Sequence, residues 1–250
     1  MAPSYDTLRV RLIQVRERPA VIREEQDTFL ERCELRPDQL VVTNALTDSL
    51  AEDLLDGVDA VMIGGAGAYS VTNTYPWTAP LVRLVHGCYD RRLPLFGSCW
   101  GHQFIARAFG GTVIKDLSRA EMGTHSVELT DAGRTDPLLC DFPPRFPAQM
   151  GHQDRVSVLP PEAVELARNA TAPYQAFRIA DRPIYGTQFH SELDAERERQ
   201  RIVADRAYYT EVLQSEEAFE ETLASLRDTP EVDGLLASFL RRFAVTAQEV

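Results

Sequence analysis

Five residues, Gly97-Ser98-Cys99-Trp100-Gly101, constrain this chain more than any other stretch. They follow a short apolar run, Leu93-Pro94-Leu95-Phe96, and precede a helix-patterned one, Gln103 to Phe109, closed by Gly110-Gly111. A nucleophile between two glycines at a strand-to-helix turn is the elbow of α/β hydrolytic folds. Such a turn demands a strained central backbone, with glycines where strand and helix close on each other. A side chain at position 99 is then held at a helix N-terminus, where the dipole favours an anion and lowers a thiol's pKa. Ser98 lies one place out of register and is expected to point away.

The residues before the elbow alternate strand-like and helix-like patterns. Leu8 to Val15 places Leu8, Val10 and Leu12 on one side, a strand period. Val21 to Arg32 is predicted to be a helix, with Val21, Ile22, Phe29 and Leu30 as its apolar side. Gln39 to Val42 and Val58 to Ile63 are further strands, and Leu81 to Tyr89 is a helix. A helix capped by Thr47 and stopped by Gly57 is predicted between the second and third strands. This β-α-β spacing implies a mostly parallel central sheet with helices on both faces, an α/β fold of flavodoxin-like type.

From about Gly111 to Phe189 the texture changes to short alternating runs at 122–129, 164–168, 174–179 and 184–189. They predict a small antiparallel extension feeding strands back to the sheet. Beyond Glu192 the chain is helical and acidic, and Val232, Leu235, Leu236, Phe239, Leu240 and Phe243 share one helical face. A stripe of that size on a polar chain is core rather than a docking face. The division expected is residues 1–193 as the main domain, with 194–250 as a helical C-terminal extension packed on it.

Charge and residue counts exclude several chemistries. The formal net charge of −12 argues against nucleic acid, which requires phosphates to be neutralised. Lys115 is the only lysine and has no glycine-rich lead-in, so no phosphate-cradling Walker loop is present. Cys33, Cys88, Cys99 and Cys140 form no Cys-x-x-Cys pair and have no histidine at metal-finger spacing, so neither zinc nor another metal is predicted. The start, Met1 to Val10, carries no secretory signal, and no run is long and apolar enough for a bilayer. A cytoplasmic location is expected, with no membrane partner and no cofactor.

A thiolate nucleophile needs a base that later serves as an acid. Of the five histidines, His86 and His102 sit within predicted helices, and His125 alternates along a strand without an evident partner. His190 differs, because it ends the run Ile184 to Phe189 and Glu192 follows two residues on. Alternate residues at a strand end project the same way, so Glu192 can orient the imidazole.

Together, Gly97-Ser-Cys-Trp-Gly-His-Gln103 and Gly186-Thr-Gln-Phe-His-Ser-Glu192 resemble the class I, triad-type glutamine amidotransferases, above all GMP-synthetase-like members and their free-standing relatives. Val61-Met-Ile-Gly-Gly-Ala-Gly67 is similar to the family's oxyanion loop, and Gly151-His-Gln-Asp-Arg-Val156 to its pocket segment. The resemblance covers roughly residues 8–193. It implies Cys99 as nucleophile, His190 as base and acid, and Glu192 as orienting carboxylate. It further implies an oxyanion hole from the Gly65 and Trp100 N–H groups, and Gln103, Gly67, His152 and Asp154 around the substrate. Trp100, Ser191 and Ala66 depart from the family's usual residues, and Trp100 is expected to narrow the pocket.

The activity so implied is hydrolysis of the glutamine side-chain amide, or a γ-glutamyl amide, through a γ-glutamyl thioester, with ammonia released for transfer. Alternatives are a free-standing γ-glutamyl hydrolase and a triad-bearing regulatory module. No Ser-Gly-Gly-Val-Asp-Ser motif occurs, so a synthase subunit is the partner this resemblance implies.

Overall fold

The computed structural model describes residues 4–245. Strands β1 (Val10–Gln14), β2 (Leu40–Asn44), β3 (Ala60–Ile63) and β4 (Leu95–Ser98) pair in parallel in the order β2-β1-β3-β4. Every residue of β1, β3 and β4 is buried, because helices cover both faces of the sheet. The strand period of two divides their side chains between two cores. Val10, Leu12, Met62 and Phe96 face one side, and Ile13, Val61, Ile63 and Leu95 face the other.

Helix α1 (Pro19–Arg32) sends Phe29 into the first core, while α2 (Thr78–Arg91) and α3 (Trp100–Ala108) fill the second with Leu84, Val85, Phe104 and Ile105. Of the apolar side predicted for α1, only Phe29 is fully buried; Glu25 and Thr28 take the other inward places. The helix predicted between Thr47 and Gly57 does not form. Asp48 instead accepts from the Asn44 N–H and closes a turn there, leaving only a 3-10 turn at Glu52–Leu55.

Beyond α3 the chain forms β5 (Thr112–Lys115), β6 (Glu121–Leu129), the short helix α4 (Asp131–Thr135), β7 (Arg145–His152), β8 (Asp154–Val158), β9 (Ala163–Arg168), β10 (Ala176–Ile179) and β11 (Ile184–Thr187). β5 and β8 make a separate antiparallel pair. The others extend the main sheet to nine strands, in the order β2-β1-β3-β4-β11-β10-β9-β6-β7. The junction between the two halves is parallel. β11 runs parallel to β4, with Gly186 opposite Gly97 and Thr187 opposite Ser98, so both strands end at the same edge.

Helices α5 (Ala195–Ala204), α6 (Arg206–Leu213), α7 (Glu216–Ser225), α8 (Pro230–Asp233) and α9 (Leu235–Phe239) complete the fold, with a π-helical turn at Leu240–Ala244. Val232, Leu235, Leu236, Phe239 and Leu240 are fully buried in the first core. The Phe239 ring lies 5.3 Å from Phe96 and 5.9 Å from Tyr185. Among the described residues, no helix is long and apolar enough to cross a membrane.

Candidate active site

Cys99 is the pivot between β4 and α3, with φ +49° and ψ −97°. A non-glycine residue in that region costs of order 1–3 kcal/mol and persists only where its surroundings impose it. The surroundings here are two close approaches. A Cβ on Gly97 would lie 2.4 Å from the Gly101 carbonyl carbon, and one on Gly101 would lie 2.3 Å from the Ile63 oxygen. Strand, turn and helix therefore pack with no room for side chains at 97 and 101. The Cys99 N–H donates to the Thr187 carbonyl at 2.8 Å, which ties the turn to β11.

His190 follows β11, and its N–H donates to the Gln149 carbonyl at 2.9 Å. Its Nδ1 lies 2.6 Å from Glu192 Oε1, and its other side faces Cys99. Burial opposes charge on this imidazole, but the Glu192 carboxylate and Cys99 outweigh it and hold its pKa well above the ordinary value. Glu192 is fully buried. Burial alone would raise its pKa, yet His190, Arg201 and Ser98 hold it down to about 2.

Ser98 does not point away as its register predicted. Its Oγ donates to Glu192 Oε2 at 2.6 Å, so the carboxylate is held from two sides. Gln188 also belongs to the site, its Nε2 lying 3.6 Å from Cys99 Sγ. Neither contact was visible in the sequence, since each joins residues about ninety positions apart.

The residues expected around the substrate are distributed unevenly. Gln103 donates from Nε2 to the Asp154 carbonyl at 2.7 Å and to Gln188 Oε1 at 3.1 Å, so that amide is engaged by the protein. His152 is buried, with Nδ1 3.1 Å from the Asp154 carbonyl and Nε2 3.3 Å from Glu121. Asp154 accepts from Ser70 Oγ at 2.5 Å, while its Oδ1 is buried without a partner. Gly67 is exposed with φ +59°. Gly65 is buried, and its N–H donates to Glu25 Oε1 at 3.2 Å. Glu25 in turn accepts from Arg16 at 2.7 Å and Gln14 at 2.8 Å, so the loop after β3 rests on a buried ion pair.

Trp100 turns its ring into an aromatic group, 4.9 Å from Phe104 and 5.6 Å from Trp77. As the first residue of α3 it carries a backbone N–H without an intrahelical acceptor. Ser191 and Ala66 are both buried. The other histidines have structural surroundings. His86 lies 3.1 Å from the Ala108 carbonyl, and the His102 ring lies 4.7 Å from that of Phe177, tilted by 47°. His125, expected to lack a partner, lies 2.8 Å from the Met122 carbonyl and 3.7 Å from Glu121. Among the described residues, no group of three or more His, Cys, Asp or Glu is disposed to hold a metal.

Comparison with known proteins identifies the family. Residues 30–209 match the family described as glutamine amidotransferase class-I. The chain is 30% identical over 165 residues to a subunit of the glutamine-hydrolysing GMP synthase of Methanococcoides burtonii, covering 64% of this chain and 77% of that one. It is 37% identical over 106 residues to the corresponding GMP synthase subunit of Pyrococcus abyssi, covering 42% of this chain and only 54% of that relative's length. Among solved structures, a glutamine amidotransferase from Thermotoga maritima superposes with a TM-score of 0.70 at 22% identity, covering 94% of this chain and 98% of that one. Another from Methylobacillus flagellatus gives 0.73 at 21%, covering 94% and 95%. These structures share the fold, and the family match over residues 30–209 establishes that the chain belongs to the class I glutamine amidotransferases.

Proposed function

We propose that the protein hydrolyses the side-chain amide of glutamine through Cys99, His190 and Glu192. The observation that carries this reading is the strained Cys99 turn at the head of α3, faced by an imidazole whose Nδ1 lies 2.6 Å from a buried carboxylate. The thiol proton is held on His190 Nε2, and Sγ attacks the amide carbon. Glu192 accepts from Nδ1, fixes the tautomer and stabilises the imidazolium. The C–N bond then breaks, the nitrogen takes the proton from Nε2 and ammonia leaves. Water adds to the γ-glutamyl thioester, with His190 again receiving the proton, and glutamate and the free thiol result.

The oxyanion forms beside the Trp100 N–H. A preorganised donor of this kind supplies roughly 3–4 kcal/mol. Gly65 is the second donor in this reading, and it serves once its N–H turns from Glu25 to the substrate. Gln103, His152, Asp154 and Gly67 form the pocket for the amino-acid end, with the unpartnered Asp154 Oδ1 as the acceptor for its ammonium.

Relatives named as subunits of a glutamine-hydrolysing GMP synthase support a synthase partner that consumes the ammonia. Residues 1–193 form the amidotransferase body in this reading, and 194–250 an extension packed on it. The test is incubation with glutamine and with γ-glutamyl dipeptides, following ammonia and glutamate. Equimolar release from glutamine, lost in Cys99→Ala, is the expected result. Turnover of dipeptides alone would instead favour a γ-glutamyl peptidase.

A further inference from the structure

Helix α5 brings a second buried carboxyl group to this site. Glu198 is 2% exposed, and its Oε1 is buried without a hydrogen-bond partner. Asp194 caps α5 by accepting from the Arg197 N–H at 2.7 Å, which fixes the turn that carries Glu198 inward. The nearby Arg201 pairs with Glu24 at 2.9 Å and not with Glu198. An orphaned buried acceptor calls for an explanation, and a role in binding or catalysis is one.

The place where that partner would sit is marked by Gly151. A Cβ on this half-buried glycine would lie 3.1 Å from Glu198 Oε1 and 3.6 Å from His190 Nε2. The two atoms therefore converge on one small space left open by the missing side chain. His190 Nε2 is the atom that, in the function proposed above, hands its proton to the departing nitrogen. Burial raises the Glu198 pKa and His190 opposes it. In either protonation state a carboxyl oxygen can still accept a hydrogen bond.

We infer that Glu198 is a leaving-group residue, its Oε1 accepting an N–H of the nitrogen expelled at His190 Nε2. The inference rests on Cys99 and His190 acting as proposed. No proton moves to Glu198; the carbon–nitrogen bond breaks, and the nitrogen's new proton comes from Nε2. A site built to accept an N–H discriminates against substrates that lack one. Glu198 would thus select primary and secondary γ-amides over γ-esters and tertiary amides.

The experiment compares glutamine turnover with alkylation of Cys99 by a chloroketone analogue of glutamine, which expels no nitrogen. Glu198→Leu should lower glutamine turnover about tenfold, the worth of one hydrogen bond to a buried acceptor, with alkylation within about twofold of wild type. Glu198→Gln keeps an acceptor oxygen and should restore most of the loss. Gly151→Ala, which fills the space and crowds the carboxyl at 3.1 Å while leaving it in place, should show the same split between turnover and alkylation. Equal loss of both activities in Glu198→Leu, or wild-type turnover in both Glu198→Leu and Gly151→Ala, would overturn the assignment. A wild-type protein inert to glutamine and to the chloroketone alike would refute the Cys99 reading beneath it.

Discussion

Replacing Ser98 with Ala tests whether Glu192 is held from both sides. Ser98 Oγ donates to Oε2 at 2.6 Å, and His190 Nδ1 lies 2.6 Å from Oε1. A hydrogen bond to a buried charged acceptor contributes about 1.5–3 kcal/mol. His190 and Arg201 still face the carboxylate in the variant, so the expected loss is about 2 kcal/mol, within that range. For a domain of this size that lowers Tm by roughly 4–8 °C.

The pH dependence has a definite sign. The folded pKa of Glu192, about 2, lies below its ordinary 4.5. Its contribution to stability is therefore present above pH 4.5 and fades as the pH falls toward 2. Ser98 supplies part of that depression, so the gap between wild type and Ser98→Ala should be full at pH 7 and smaller near pH 3.5. Thr187→Ala is the control, since Thr187 Oγ1 donates to the neutral Phe189 carbonyl at 2.9 Å. Its loss should cost about 1 kcal/mol at both pH values. Urea unfolding followed by circular dichroism measures all three proteins. A Ser98→Ala loss under about 0.5 kcal/mol, or one identical at both pH values, would refute a charge-assisted bond of this strength.

Three further outcomes are expected. The chloroketone should label Cys99 alone, because burial pushes the Cys88 thiol up to about 12 and raises Cys33 as well; peptide mapping that finds Cys33, Cys88 or Cys140 labelled in a glutamine-protectable way would contradict this. Glu192→Ala should keep roughly 100-fold more glutaminase activity than His190→Ala, since it orients rather than transfers the proton, and equal residual rates would show otherwise. His102 is buried neutral with its pKa lowered by burial to about 3, below its ordinary 6.5, so it stabilises above pH 6.5 and loses that contribution as pH falls. Between pH 6.5 and 5 the cost is about 2 kcal/mol, and His102→Gln should flatten the Tm–pH curve over that interval; an unchanged slope would remove His102 from the account.

Truncation after position 229 bears on the C-terminal stripe. Leu235, Leu236, Phe239 and Leu240 are each fully buried. At about 1.5–3 kcal/mol apiece their removal approaches the whole stability of a typical domain. The truncated protein should aggregate, as light scattering would report, and a soluble, fully active product would show that the stripe is not core.

Part of this molecule is legible from local sequence because its causes are local. The glycine frame around Cys99 dictates a tight strand-to-helix turn within five residues, and only glycines survive contacts as close as 2.3 Å. His190 and Glu192 meet because residues two apart at a strand end project together. The parallel half of the sheet follows from continuous apolar strands separated by helix-patterned segments. Strand β7 escaped notice because Pro147 interrupts its pattern, which an edge strand tolerates. Thr47 and Gly57 carried helix signals, yet the Asp48 carboxylate caught the Asn44 N–H and closed a turn first.

What only the tertiary structure decides is which distant groups share the site. The hydrogen bond from Ser98 to Glu192, the Gly65 N–H resting on Glu25 and the approach of Glu198 to His190 each join separate elements. No periodicity encodes these meetings. They depend on β11 returning beside β4 in parallel register and on α5 folding back over that edge. Local sterics can shape a nucleophile's turn, but a buried carboxylate acquires its partners, and so its protonation state, only from the packing that removes it from water.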